Sequence, residues 1–166
     1  FLHAAFIHTN PADYCAFFPI GTLFAPECLL EVASYANANA KAKAKANTNW
    51  AFIYSDNDYF SRTAEGAIAR FSPDFKPDFS AHFLRGFNYI GAFFARLSAL
   101  QKAAIFAEKT ALNAPFDLLL RVIETLKSEQ IGHIAQILYH LPPSALAKLA
   151  NVGHSADQNQ NEITAL

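Results

Sequence analysis

The sequence predicts an all-α domain, and three observations support that prediction. Glycine, which the irregular loops of β folds use freely, occurs only 6 times, against 16 phenylalanines. Helix-start signals built on proline recur, as at Asn10-Pro11 and Pro77-Asp78. The longest periodic segment begins at Pro77 and places apolar side chains three and four residues apart. We therefore expect a helical bundle with a less regular N-terminal third.

Length and composition predict one soluble helical domain at residues 1–153, followed by a polar tail at residues 154–166. The chain is 52% hydrophobic and 16% charged, which is typical of a globular protein with a real core. No apolar stretch approaches the roughly 18 residues that a membrane span requires. A net charge of -1 attracts no phosphate backbone, so nucleic acid is not an expected partner.

Helices are predicted along most of the chain from capping residues, prolines and apolar spacing. The predicted helices begin at Asn10, Pro26, Ser61, Pro77, Pro115, Ser128 and Ser144, and the one from Pro77 runs to about Ala111. Residues 36–49 contain only Ala, Asn, Lys and Thr, so we expect a solvent-facing helix end or a connector, with a basic docking patch as the alternative. At most one short strand is expected, near residues 50–54, where an aromatic run is flanked by turn residues.

The stretch from Ile134 to Val152 resembles the helix, Leu-Pro-Pro turn, helix hairpins of some right-handed superhelical repeat modules. The resemblance implies two antiparallel helices in this part of the chain. The stretch is not repeated at a regular period elsewhere, so no function is carried over from it.

Aromatic residues of the predicted long helix are the candidate binding site, because they encircle the helix instead of forming one stripe. We expect Phe83, Phe87, Phe93 and Phe94 to contact a protein partner or an apolar small molecule. The favoured function is thus a non-catalytic interaction or ligand-binding module, and homo-oligomer formation is compatible with it. The competing interpretation is that these rings form a plain core.

The alternative function is a small enzyme, either a hydrolase or a transferase. Its nucleophile would be Cys15, with His82 or His133 as the base, or its centre would be a His/Asp pair. Free cysteines are commonly buried and inert, so Cys15 and Cys28 are expected to be core thiols. Since the chain contains none of the familiar catalytic motifs, the sequence does not decide between enzyme and binding module.

Metal ligation is not predicted, and no cofactor is indicated. The aspartates at positions 56, 58, 74 and 78 are spaced partly like a calcium loop, but the turn glycine and the final glutamate of such a loop are missing. We expect these aspartates to form turns and helix caps. His133 and His140 lie seven residues apart on a predicted helix, about 10.5 Å, which is too far for one metal ion to bridge.

Overall fold

The computed structural model describes residues 13–41, 50–104 and 115–145, and a mixed β-sheet dominates them. The strands are β1 Tyr14–Phe17, β2 Leu23–Phe24, β3 Phe52–Arg62, β4 Ile68–Asp74, β5 Phe93–Arg96 and β6 Ile131–Leu141. The helices are α1 Cys28–Lys41, α2 Ala81–Gly86, α3 Leu97–Lys102 and α4 Pro115–Glu124, with a 3-10 turn at Ser128–Gln130. The prediction of an all-α helical bundle is therefore wrong.

The sheet has the strand order β1-β5-β3-β6-β2. The sixth strand, β4, is not part of this order and pairs with β3. The long strands β3 and β6 run parallel at its centre, and the other pairs are antiparallel. Parallel pairing of β3 and β6 requires the chain between them to cross the sheet, and that chain contains α2, α3 and α4. Polar residues far apart in the sequence are thereby placed on neighbouring strands.

The strand expected near residues 50–54 is present, but it continues to Arg62. The polar run from Ser55 to Asp58, which the sequence analysis treated as the turn ending the strand, is buried within β3. After β3 the chain reverses through a turn in which the N–H of Thr63 donates to the carbonyl of Ala67 at 2.9 Å. Gly66 adopts a φ of 84° in this turn, a conformation that glycine accommodates without strain. The helix predicted from Ser61 is thus a β-hairpin.

The long helix predicted from Pro77 is also wrong, because the segment divides into the short helix α2, an extended stretch, strand β5 and helix α3. Gly86 ends α2, and Gly91 has a φ of 70°, which is incompatible with a continuous right-handed helix. The uninterrupted apolar run at Phe93 and Phe94 fits a central strand that is buried on both faces.

The segment that resembles helical repeat modules begins with a strand. Residues Ile131–Leu141 form β6, and its β-branched isoleucines suit a strand buried beside β3. Another predicted helix, starting near Asn10, is replaced by β1 over its described part. The helices predicted to begin near Pro26 and Pro115 are confirmed as α1 and α4.

Helices cover both faces of the sheet. On one face α3 and α4 pack on Phe52, Tyr54 and Phe93, forming the larger core. On the other face α1 contributes Cys28 and Val32 to a second core. No helix within the three described ranges is long and apolar enough to cross a membrane.

Several predicted features lie outside the described residues. They are residues 42–49 of the connector expected at 36–49, the end of the predicted long helix at 105–111, most of the last helix at 146–152 and the tail at 154–166.

Candidate functional site

The four predicted binding phenylalanines do not form one surface. Phe83 and Phe87 belong to α2 and the residue after it, and they are 48% and 60% exposed with ring centroids 6.0 Å apart. Phe93 and Phe94 are buried in β5 and point to opposite faces of the sheet, one into each core. Only the first two are accessible to a partner.

The cysteines lack the surroundings of a nucleophile. Cys15 and Cys28 are both free thiols and both buried. Burial raises the pKa of Cys28 to about 11, and it also raises the pKa of Cys15, with a further increase from the charge of Asp13. A catalytic cysteine needs the opposite shift, since the thiolate is the reactive form.

The structure instead brings polar side chains together on β3, where the apolar core gives way to a buried charged cluster. Asp56 and Asp58 are 3% and 4% exposed, and because they lie two residues apart on a strand they face the same way. Each accepts a hydrogen bond from a histidine of the parallel strand β6. Sequence analysis had named these four residues separately but had not paired them.

An irregularity in β6 makes room for the cluster. Ser55 pairs with Ile134, but the next residue, Asp56, pairs with Ile137, so β6 carries extra residues beside Asp56. A β-bulge bends the strand and redirects side chains, and such bulges are common next to active sites. The extra residues of β6 bring His140 closer to His133 along the sheet, because the two histidines pair with Tyr54 and Asp58, which are four residues apart on β3. Each imidazole thereby meets its own carboxylate.

The Oδ1 atom of Asp56 accepts two hydrogen bonds. His133 Nε2 lies 2.9 Å from Oδ1, and the main-chain N–H of Lys76 donates to the same atom at 2.9 Å. The second nitrogen of His133, Nδ1, lies 3.3 Å from Oδ1 of Asp78, whose side chain is fully exposed. Because an ionised carboxylate only accepts hydrogen bonds, His133 satisfies both aspartates when both ring nitrogens carry protons.

The carboxylate of Asp58 is held at both oxygens. His140 Nδ1 bonds to its Oδ1, and Arg70 Nε donates to its Oδ2 at 2.7 Å. Arg70 comes from β4, and about half of its side chain is exposed. The guanidinium of Arg70 therefore contacts the buried carboxylate of Asp58 at Nε, while the rest of the Arg70 side chain reaches solvent.

Lys76 adds a buried ammonium to the cluster. Its side chain is 2% exposed, and Nζ lies 2.7 Å from Oδ2 of Asp74. Burial lowers the pKa of Lys76, while the neighbouring carboxylates of Asp74 and Asp56 act in the opposite direction. A buried ammonium is costly for folding unless it is paired, and Asp74 supplies the partner here.

A cavity of about 390 Å³ is lined in part by His133, and it lies beside α1, which packs on the opposite face of the sheet from Tyr54. It lies between α1 and β6, and its walls include Glu31, Ser34, Tyr35 and Gln136 as well as His133. A small molecule bound there would meet both polar groups and the aromatic face of Tyr35.

The metal-binding capacity of the cluster rests on the two carboxylates alone. Among the described residues, no three His, Cys, Asp or Glu side chains are arranged to hold a metal ion. Asp56 and Asp58 provide two oxygen ligands of the kind that Mg²⁺ and Mn²⁺ prefer. Any ion held there would need further oxygens from a substrate and from water.

Nothing in the sequence indicated that Tyr54, Arg70 and Lys76 belong to the site. The ring of Tyr54 stacks on His133 with centroids 4.7 Å apart and an angle of 11° between the planes. The signal available for the site was the pair Asp56 and Asp58 directly after an aromatic strand, which is a buried environment for two charges.

Part of the chain is similar to a known protein. A 90-residue stretch is 39% identical to the uncharacterized protein y4gI of Sinorhizobium fredii, and covers 52% of this chain but only 9% of y4gI. The chain thus spans a small part of that relative. No family model and no solved structure matches the chain.

Proposed function

We propose that this chain contains the donor-binding centre of a transferase, an enzyme that moves a group from a phosphate-bearing donor to an acceptor. The observation that carries the proposal is the pair of buried carboxylates, Asp56 and Asp58, on one face of β3. Enzymes that use Mg²⁺ or Mn²⁺ with phosphate substrates bind the ion through one or two carboxylates, and phosphate oxygens and water complete its coordination. Two aspartates are sufficient for such a site.

The charge of the cluster supports a bound cation. Four aspartates, at positions 56, 58, 74 and 78, lie around two basic side chains, Arg70 and Lys76. Two negative charges remain, and in this structure two imidazoles are bonded to the carboxylates. A divalent cation would compensate these carboxylates in one ion.

Arg70 supports a phosphate as the second component. Its Nε is bonded to Asp58, while about half of the side chain reaches solvent. The planar guanidinium carries further N–H donors in a geometry that matches phosphate oxygens. A phosphate at this edge would therefore touch the guanidinium and the cation together.

The chemistry that follows is group transfer. The cation would stabilise negative charge developing on the departing phosphate. His140, whose Nδ1 is bonded to Asp58, would accept a proton from the attacking group of the acceptor. This proposal develops the enzyme alternative, with a His/Asp pair in place of Cys15.

The interaction module stays a second candidate because Phe83 and Phe87 are exposed on adjoining turns. Two neighbouring rings fit the centre of a small interface with a protein partner. Replacing both with serine would abolish capture of that partner while leaving metal binding at the cluster intact.

A titration of Mn²⁺ tests the transferase proposal. Manganese is added to the protein with and without inorganic pyrophosphate, and binding is followed by calorimetry and by the electron spin resonance of free Mn²⁺. We expect pyrophosphate to strengthen Mn²⁺ binding, and we expect Asp56→Asn and Asp58→Asn each to weaken it at least about tenfold.

The matched control is Asp117→Asn, which removes a carboxylate whose partner is Arg121 on α4. The control should bind Mn²⁺ and pyrophosphate like the native protein. Equal affinities in all four proteins, or no binding in any of them, would rule out the proposed centre.

A further inference from the structure

Tyr54 lies beneath the cluster and contacts it in two ways. The residue is fully buried in β3, two positions before Asp56. Its ring stacks on the imidazole of His133. Its hydroxyl donates to the main-chain carbonyl of Pro77 at 2.7 Å.

The segment from Lys76 to Ser80 lies between β4 and α2 and is held by side chains of other elements. Tyr54 binds the carbonyl of Pro77, and Asp56 accepts from the N–H of Lys76. At its far end, the N–H of Ser80 donates to the hydroxyl of Tyr89 at 3.0 Å. The segment is outside regular secondary structure, so its position depends on these contacts.

We propose that Tyr54 is a positioning residue for Asp56, and this inference rests on the proposed function. Its ring fixes the plane of His133, and its hydroxyl fixes Pro77, so that the neighbouring N–H of Lys76 and the imidazole reach the same carboxylate oxygen. Asp56 Oδ1 is thereby occupied from two sides. The second oxygen, Oδ2, is then presented in a constant direction for the cation.

The physical basis is pre-organisation. Groups that orient a metal ligand typically change metal affinity about 10–100-fold when they are removed, although they never touch the ion. Burial raises the pKa of Tyr54 far above its ordinary value, so its hydroxyl stays protonated and remains a donor. A phenylalanine at this position keeps the stacked ring and removes the hydroxyl, with its bond to Pro77 and its interaction with the hydroxyl of Tyr89.

The test compares Tyr54→Phe with Tyr139→Phe. Tyr139 is an equally buried phenol whose hydroxyl donates to the carbonyl of Ile90 at 3.4 Å, and it belongs to the other core. The first readout is the hydrogen-exchange rate of the Lys76 amide in the ligand-free protein, measured by NMR. The second is the affinity for Mn²⁺ with pyrophosphate.

We expect Tyr54→Phe to speed exchange of the Lys76 amide about tenfold more than Tyr139→Phe does, and to weaken Mn²⁺ binding about tenfold. A purely structural role would change both variants alike. Equal exchange rates and equal affinities in the two variants would overturn the inference.

The two proposals fail separately. If the native protein binds no Mn²⁺ with pyrophosphate, the transferase proposal fails, and the Lys76 amide still tests whether Tyr54 positions Asp56. If Tyr54→Phe does not fold, the hydroxyl proton of Tyr54 in the native protein is measured instead. Slow exchange of that proton with solvent supports the bond to Pro77, and exchange as fast as that of an exposed phenol contradicts it.

Discussion

His133 Nε2 lies 2.9 Å from Oδ1 of Asp56, although 77 positions separate the two residues in the chain. Parallel pairing of β3 and β6 creates this contact, and the bulge in β6 lets His140 make the equivalent contact with Asp58. Two Asp–His pairs thus lie side by side at the centre of the sheet.

Removing His133 should destabilise the protein, because the buried carboxylate of Asp56 would keep only the N–H of Lys76 as a partner. We expect His133→Ala to lower the free energy of unfolding by about 2–4 kcal/mol in urea titrations. His82→Ala, at an exposed position on α2, should change it by less than about 0.5 kcal/mol. Equal effects of the two substitutions would show that the Asp56–His133 contact contributes nothing to stability.

The two cysteines should not react in the folded protein. Burial raises the pKa of Cys28 to about 11 and also raises that of Cys15, so both remain protonated thiols near neutral pH. We expect no reaction with Ellman's reagent at pH 7.5 until guanidinium unfolds the chain, when both thiols react. Rapid modification of native Cys15 would restore the cysteine nucleophile as a candidate.

Alkaline pH should destabilise the fold through its buried tyrosines. Burial raises the folded-state pKa of Tyr139 and Tyr54 above their ordinary value of 10.0. The stability they contribute is fully present below pH 10 and is lost as the pH rises beyond it, because the unfolded chain then releases protons that the folded chain retains. Lys76 acts in the opposite direction, because its pKa is lowered in the folded chain. Its effect is to raise the free energy of unfolding as the pH rises towards its ordinary pKa of 10.5.

A comparison with Tyr139→Phe isolates the tyrosine effect. Urea unfolding at pH 8 and pH 11 should show the native protein losing about 1.4 kcal/mol more than the variant for each pH unit above 10. A variant as sensitive to alkaline pH as the native protein would contradict the assignment to Tyr139.

Gly132 should tolerate no side chain. A Cβ at this position would lie 2.6 Å from Cε1 of Tyr35 and 3.1 Å from the Trp50 ring, and these two rings are stacked on each other. We expect Gly132→Ala to cost about 1–3 kcal/mol of unfolding free energy and to disturb the neighbouring His133.

Gly86→Ala is the matched control, since a Cβ there meets nothing within 4 Å. It should leave the protein unchanged or stabilise it by up to about 1 kcal/mol. The unfolding temperatures of both variants test this prediction. A Gly132→Ala protein as stable as the Gly86→Ala control would refute the close packing of Gly132 on Tyr35 and Trp50.

The sequence allowed α1 and α4 to be predicted, because prolines mark their starts and apolar residues recur after them. The prediction from Pro77 onward was wrong, because spacings of three and four among the phenylalanines indicated one long helix. The same residues contain the continuous apolar run of β5, which is typical of a strand buried on both faces. Periodicity alone does not separate these two cases.

The site was less predictable than the helices. Asp56, Asp58, His133 and His140 were each named from the sequence, yet as turn residues and as neighbours on a helix. Their pairing depends on the register between β3 and β6, which is a non-local property of the sheet. The contribution of Tyr54 follows from that register as well, because it faces His133 across the two strands.

The most direct test of the transferase proposal is a crystal soaked in MnCl₂ and pyrophosphate, with the anomalous signal of manganese recorded. We expect one manganese ion within about 2.5 Å of carboxylate oxygens of Asp56 and Asp58, with pyrophosphate oxygens completing its coordination beside Arg70. The transferase proposal would be contradicted if manganese bound only elsewhere. It would also be contradicted if no manganese bound and both Asp–His hydrogen bonds remained in place.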